Sequence, residues 1–320
     1  LLNDTCVNIA ILGATGHIAK NLIKGLSATK HYQLNLFARS TERLSAFLKE
    51  NNISEQIHIC DYEQFQQEAT YDAIINCIGV GNPQDLVQNP FSVFQITEQY
   101  DNLILQYIQK KPATVYINLS SGAAYGSDFE APATRDKILN LNVNNLTVKD
   151  YYGIAKLNME AKHRSLHNLK IVDLRVFGFF SSYIDLESKF LITEIIDHVQ
   201  TGEILYTSSE DIKRDYVHPE DFLQLVELCF NKNIKNDVYD VYSRNPLSKF
   251  EMLNYFADEH GLKFEIKVET AYASITGSKT NYYSNNDNAM GIGYQPRYTS
   301  LQSVRDGYQQ FRMRNNDENN

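Results

Sequence analysis

The stretch ILGATGHIAK, residues 11–20, sets two glycines three residues apart, directly after an apolar run and at the mouth of a helix-forming segment. Glycine inside regular structure costs about 0.5–1 kcal/mol relative to alanine, so the pair needs a reason. Gly13 can make a tight turn after a strand, and Gly16 lets the backbone approach an anionic group. A helix starting near His17 then points unsatisfied N–H groups and a partial positive charge at that anion. Ala19 stands at the third position, where a small residue permits close helix–strand packing. The pattern reads as a turn built to cradle phosphate.

Working outward, the first half of the chain alternates. Val7 to Leu12, Asn35 to Ala38, Ile57 to Cys60, Ala73 to Ile78, Val115 to Leu119 and Lys170 to Phe177 read as strands. Helical segments separate them, with Leu44, Phe47 and Leu48 on one face of the second, then Phe91 to Lys110 and Tyr151 to Leu166. Short apolar strands divided by helices predict an α/β fold, a doubly wound parallel sheet covered on both faces. In that setting the glycine turn becomes a dinucleotide signature. The second half is less regular. Helices are expected near 188–201, 221–231 and 248–260, with strands near 204–206, 238–241 and 264–268. Ser248 and Glu251 have capping-box spacing. Residues 277–290, rich in Ser, Asn, Gly and Tyr, read as a loop, and the tail NNDENN as frayed. Residues 1–177 are expected to form mainly a dinucleotide-binding domain. Residues 178–320 form mainly a smaller, mixed substrate-binding region, with some elements returning to the first domain.

Composition bounds the function. The net charge of -9 over 320 residues argues against a nucleic-acid binder, though one basic pocket can still hold a phosphate ligand. No run of eighteen apolar residues indicates a membrane span, and no basic segment followed by a long apolar one indicates a signal peptide. Cys6, Cys60 and Cys77 lie in or beside apolar runs and read as small buried thiols; with Cys229 they include no CxxC pair. A reducing cytoplasm is expected. The eight histidines show no metal-ligand spacing.

The chemistry gathers at three places. The second strand ends in FARS, residues 37–40, with no acid there to take ribose hydroxyls. Arg39 and Ser40 fit a 2′-phosphate instead, which favours NADP(H) over NAD(H). Asp61, followed by Tyr62, could accept from an adenine amine or cap the next helix. Tyr152 and Lys156 in DYYGIAK lie four apart on one helix face. A phenol titrating near 10 is a poor base until an ammonium beside it favours the phenolate. LSSGAAYG, residues 119–126, puts Ser121 at the carboxyl end of a sheet strand, where α/β sites form.

With GATGHIA, Asp61, SSGAAYG, YGIAK followed by Glu160, Arg175 in DLRVFG, RDYVHPED and the ending GIGYQPRYTSLQSVRDGY, the chain resembles an extended short-chain dehydrogenase/reductase. The resemblance is to the NAD(P)-dependent epimerase/dehydratase group acting on nucleotide sugars. It implies a Rossmann-like fold with Ser121, Tyr152 and Lys156 as the catalytic set. Cofactor contacts would come from Gly13, Thr15, Gly16, His17, Ile18, Arg39, Ser40, Asp61, Tyr62, Cys77, Ile78 and Gly79, with Tyr152 and Lys156 at the nicotinamide end. Substrate contacts would come from Ser121, Gly178, Arg214 and Arg297, and no metal is implied. A homodimer is expected from the resemblance alone. His218 before Pro219 reads as a local structural residue.

There are departures. Gly178 replaces the asparagine common in the group, and Gly122 and Ala123 stand where 4,6-dehydratases carry an acid pair, which disfavours dehydration. The expected activity is reduction of a keto group on a nucleotide-linked deoxysugar. A 4-epimerase using the same residues is the alternative. A non-catalytic NAD(P)-binding regulator, which would predict loss of the catalytic set, is the reading from another class.

Overall fold

The computed structural model describes residues 6–53, 56–65, 69–80, 83–231, 233–267 and 279–317. Along the chain, β1 (Val7–Leu12) leads into α1 (His17–Ser27), then β2 (Tyr32–Phe37), α2 (Thr41–Glu50), β3 (Ile57–Cys60), β4 (Ala73–Asn76), α3 (Pro83–Gln88) and α4 (Phe91–Lys110). There follow β5 (Val115–Ser121), α5 (Val148–Ser165), β6 (Ile171–Val176), α6 (Leu191–Thr201), β7 (Ile204–Thr207), β8 (Lys213–Arg214) and α7 (Pro219–Cys229). Last come β9 (Asp237–Val241), β10 (Leu247–Ser248), α8 (Lys249–His260), β11 (Lys263–Ile266), β12 (Asn281–Tyr282) and α9 (Ser300–Asp317).

Seven strands make one parallel sheet in the order β3-β2-β1-β4-β5-β6-β9. The order reverses between β1 and β4, so a crevice opens there at the strands' carboxyl ends. Every residue of β4 and β5 is buried, as expected of strands covered on both faces. One face packs on α1, α2 and α7 through Leu22, Ile23, Leu44, Phe222 and Val226. The other packs on α4 through Ile104, Tyr107 and Ile108.

A second core joins α6, α8 and α9 through Ile195, Phe256 and Tyr308, and forms the smaller region. That region also carries a three-stranded sheet, β10-β8-β12, and the parallel pair β7 and β11. The short strand expected near 238–241 is β9, which returns to the main sheet beside β6. Residues 277–290 are not simply loop: β12 lies within them and pairs with β8, Tyr282 opposite Arg214. Residues 268, 277–278 and 318–320 of the expected elements lie outside the described residues. The tail from Asn315 to Asp317 continues α9 rather than fraying.

Cys6 is exposed and Cys60 and Cys77 are half-buried, so none of the three thiols expected to be buried is fully so, whereas Cys229 is. Cys6 precedes β1, and Cys60 ends β3, the outermost strand, where one side faces water. Among the described residues no helix is long and apolar enough to cross a membrane, and no group of three or more metal-ligating side chains assembles.

Candidate active site

Gly13 has φ +76°, in the left-handed region, and a Cβ there would meet the Cys77 carbonyl carbon at 2.9 Å. The glycine therefore does two jobs: it turns the chain and lets the β1 and β4 ends approach. Gly16 N-caps α1 with no side-chain cap, leaving the helix N-terminus open toward the crevice. These are the features a dinucleotide pyrophosphate needs.

His17 opens α1, and its Nε2 lies 2.8 Å from Ser181 Oγ, which also accepts from Asn21 Nδ2 at 2.7 Å. Burial, then the Lys20 charge, holds His17 down to about 4. It is a neutral ring at neutral pH that ties the glycine turn to the segment after β6. Thr15 is half-buried beside it, and Ile18 packs on the core.

The opposite wall comes from the end of β4. Asn76 accepts from Ile78 N–H at 3.1 Å and donates to Tyr116 Oη at 3.1 Å, which fixes the Cys77–Gly79 turn. A Cβ on Gly79 would lie 4.0 Å from Lys156 Nζ, so this turn packs directly against the buried ammonium. Burial pushes the Cys77 thiol up to about 12 despite the Lys156 charge.

Past the end of β3, Asp61 caps the short turn 62–64 in a capping box with Gln64, the second of its two sequence readings. Tyr62 reaches back so that Gly13 N–H donates to its hydroxyl at 3.1 Å, and its ring lies 4.7 Å from Tyr100. Burial pushes the Tyr62 phenol up to about 12, with Arg39 nearby opposing. Arg39 is exposed, and Ser40 caps α2.

Ser121, Tyr152 and Lys156, the set the resemblance implies, lie at the end of β5 and on α5. Ser121 ends β5, and its Oγ accepts from Ala123 N–H at 3.2 Å. Lys156 is only 3% exposed and donates to the Leu119 carbonyl at 2.8 Å, with Nζ 5.8 Å from the Tyr152 ring centre. Gly153 explains how α5 comes so near. A Cβ there would stand 2.4 Å from the Ala123 carbonyl oxygen, so any side chain would hold the helix away from the serine turn. Beneath the site, Glu160 accepts from Ser120 Oγ at 2.5 Å and from Arg175 Nη2 at 2.6 Å. The family matches Glu160 and Arg175 are thus a buried ion pair supporting β5 and β6.

Sequence reasoning missed two residues of this site, both in the stretch read as loop. Tyr282 Oη lies 3.2 Å from Ser121 Oγ. Lys279 Nζ stands 4.3 Å over the Tyr282 ring, on which the Arg214 guanidinium also bears at 5.8 Å. Burial, then repulsion from Arg214, lowers Lys279 to about 8. Arg214 donates to the Lys213 and Lys279 carbonyls. The two cations thus both bear on the Tyr282 ring, next to Ser121. A two-residue strand has no periodicity, so no signal pointed to it.

Arg297 is not brought to this cluster. It is 59% exposed and pairs with Glu220 at 2.9 Å and Asp221 at 3.5 Å, with its N–H also on Asp221. His218 accepts from Glu220 N–H as the N-cap of α7 and stacks on Tyr298 at 3.8 Å, a structural role. Gly178 is required where it stands, because a Cβ would meet the Asp215 carbonyl oxygen at 2.4 Å.

A glycine-cradled helix at the switch of a parallel sheet, beside a Ser–Tyr–Lys set, defines a dinucleotide-dependent enzyme of the short-chain dehydrogenase/reductase type. The chain belongs to the NAD dependent epimerase/dehydratase family, whose match spans residues 9–242. No curated protein matches it by sequence. Among solved structures it is similar to a UDP-N-acetylglucosamine 4-epimerase from Methanobrevibacter ruminantium in complex with UDP-N-acetylmuramic acid, with TM-score 0.80, 16% identity and coverage of 97% and 99% of the two chains. It is similar to a UDP-glucose 4-epimerase from Stenotrophomonas maltophila with bound NAD, with TM-score 0.80, 15% identity and coverage of 97% and 99%. It is also similar to a dTDP-glucose 4,6-dehydratase from Bacillus anthracis in complex with NAD, with TM-score 0.77, 17% identity and coverage of 96% and 97%.

Proposed function

We propose that the protein is an NAD-dependent 4-epimerase of a nucleotide-linked sugar. The observation that carries the reading is the placing of Ser121, Tyr152 and Lys156 between an open helix N-terminus and the Arg214–Lys279 cations. The first suits a dinucleotide held by Gly13, Gly16 and α1. The second suits the diphosphate that joins a nucleoside to its sugar. The sugar ring then lies between them, at the trio.

When bound, the dinucleotide supplies the acceptor, and then the donor, of a hydride at the reacting carbon. The chain handles the oxygen and its proton. Tyr152 takes the proton from the sugar hydroxyl as the carbonyl forms and gives it back when the carbonyl is reduced from its other face. Ser121 hydrogen-bonds that oxygen in both directions, and matters most where it carries developing charge. Lys156 supplies a fixed positive charge beside the phenol and below Gly79.

Epimerisation is favoured over the reductase reading for two reasons. Two of the three similar structures named above are 4-epimerases, and two of the three hold NAD. The 2′-phosphate reading also weakens, because Ser40 is bonded to the Glu42 carboxylate at 3.1 Å, an acid just past the window in which none was found. Dehydration is disfavoured sterically as well as chemically. A side chain at Gly122 would run into the Phe177 ring at 2.4 Å.

The test is to incubate the enzyme with UDP- and dTDP-linked hexoses and with nucleotide 4-keto sugars, supplying NAD, NADH or NADPH. Interconversion of 4-epimers without net cofactor consumption is the expected result. Stoichiometric NADPH oxidation with a keto sugar would restore the reductase reading. In the substrate that turns over, Tyr152→Phe should lower kcat by roughly 10²- to 10⁴-fold while leaving cofactor affinity largely intact.

A further inference from the structure

Tyr282 stands at the reacting centre without a part in the chemistry above. Its ring is clamped by Phe129 at 4.8 Å and Phe177 at 5.2 Å, and its strand is pinned on the far side, where Asn281 N–H donates to the Phe129 carbonyl at 2.8 Å. The hydroxyl is therefore delivered to one place. It lies 3.2 Å from Ser121 Oγ, which already accepts from Ala123 N–H. The buried phenol needs an acceptor for its proton, a phenol is a stronger donor than an aliphatic hydroxyl, and Ser121 Oγ is the acceptor at hand. Burial holds the phenol far above its ordinary range, so the proton stays on Tyr282 at working pH.

We propose that Tyr282 is a positioning residue that fixes the direction of the Ser121 hydroxyl. A serine oxygen accepts two hydrogen bonds and donates one. Ala123 N–H and Tyr282 O–H fill both acceptor places, so the proton of Ser121 is left for the substrate oxygen. The serine is thereby committed as a donor before substrate arrives, and no rotor has to be frozen in the transition state. This extends the proposed epimerase reading and rests on it for the identity of the oxygen, although the Tyr282–Ser121 bond itself does not.

The experiment has two arms. In protein labelled at tyrosine ζ carbons, the Tyr282 resonance is identified by its loss in Tyr282→Phe. It should move in Ser121→Ala; an unmoved resonance would overturn the proposal. This arm needs no substrate, so a wild type that converts no sugar sinks the epimerase reading alone. With the sugar that turns over, Tyr282→Phe should lower kcat roughly 5- to 30-fold, the worth of one hydrogen bond to a reacting donor, with KM within about twofold. In a Ser121→Ala background the same change should cost less than about twofold, because the two residues act through one bond. Equal losses in both backgrounds, or unimpaired kcat in the single variant, would count against it. Should Tyr282→Phe fail to fold, the Ser121→Ala spectrum, with the moved line assigned by sequential labelling, decides the matter.

Discussion

Ser40 is claimed from two sides. Its hydroxyl oxygen accepts from Arg43 N–H at 3.3 Å as the cap of α2, and its proton goes to Glu42 Oε2 at 3.1 Å. A 2′-phosphate placed there would meet a carboxylate, whereas a ribose hydroxyl would find an acceptor. Glu42→Gln should therefore shift the ratio of NADP+ to NAD+ affinity toward NADP+ by about tenfold, worth about 1.4 kcal/mol. Titration of both dinucleotides into the two proteins checks it, and an unchanged ratio would remove Glu42 from the selection. The FARS reading stopped at the strand end, and Glu42, the second residue of α2, lies just past it. Gly13, Tyr152, Lys156 and Ser121 were legible because each belongs to a short local spacing. Tyr282 and Lys279 act across more than a hundred residues of chain, and only the folded β8–β12 pairing brings them in.

At the scale of elements, α5 is the part that assembles the chemistry. It starts in a capping box of Thr147 and Asp150, and carries Tyr152, Gly153, Lys156 and Glu160 on its inward side. The helix and its residues were readable from spacing, except for what Gly153 does. Its role depends on a carbonyl of another element, which no helical pattern reports. Gly153→Ala is expected to cost about 1–3 kcal/mol, since the neighbour that must shift is backbone. A helical alanine would otherwise gain roughly 1 kcal/mol over glycine. Thermal unfolding together with kcat will separate the two: a more stable, fully active variant would refute the close-approach argument.

For the whole molecule, two histidines oppose each other across the pH scale. His163 lies between Asp101 at 2.7 Å and Asp173 at 2.9 Å, and despite the cost of burial those carboxylates raise it to about 9. Because its folded value exceeds the unfolded one near 6.5, its contribution is whole below about 6.5 and is lost as pH rises through about 9. His17 is the reverse. With a folded value near 4, the unfolded chain binds the extra proton, so stability falls as pH drops from about 6.5 toward 4. Denaturant unfolding across pH 4 to 10 should give a maximum near pH 6.5 with both limbs declining. His17→Phe should flatten the acid limb and leave the alkaline one; an acid limb of unchanged slope would dismiss His17 as its source. The alternating first half made the layered sheet legible, and the helices of the smaller region were legible too, while the small β10-β8-β12 sheet was not, its strands being too short to show a period.

The pairing of β6 with β9, Val172 beside Asp237 and Val176 beside Val241, has a consequence for synthesis. A chain leaving the ribosome exposes the flank of β6 for some sixty residues, while the other flank of β6 is already paired with β5. Closure must wait until residue 241 has cleared the exit tunnel, so the growing polypeptide passes through a stage with an open, sticky border. A nascent chain stalled before that point would be the form most dependent on chaperones.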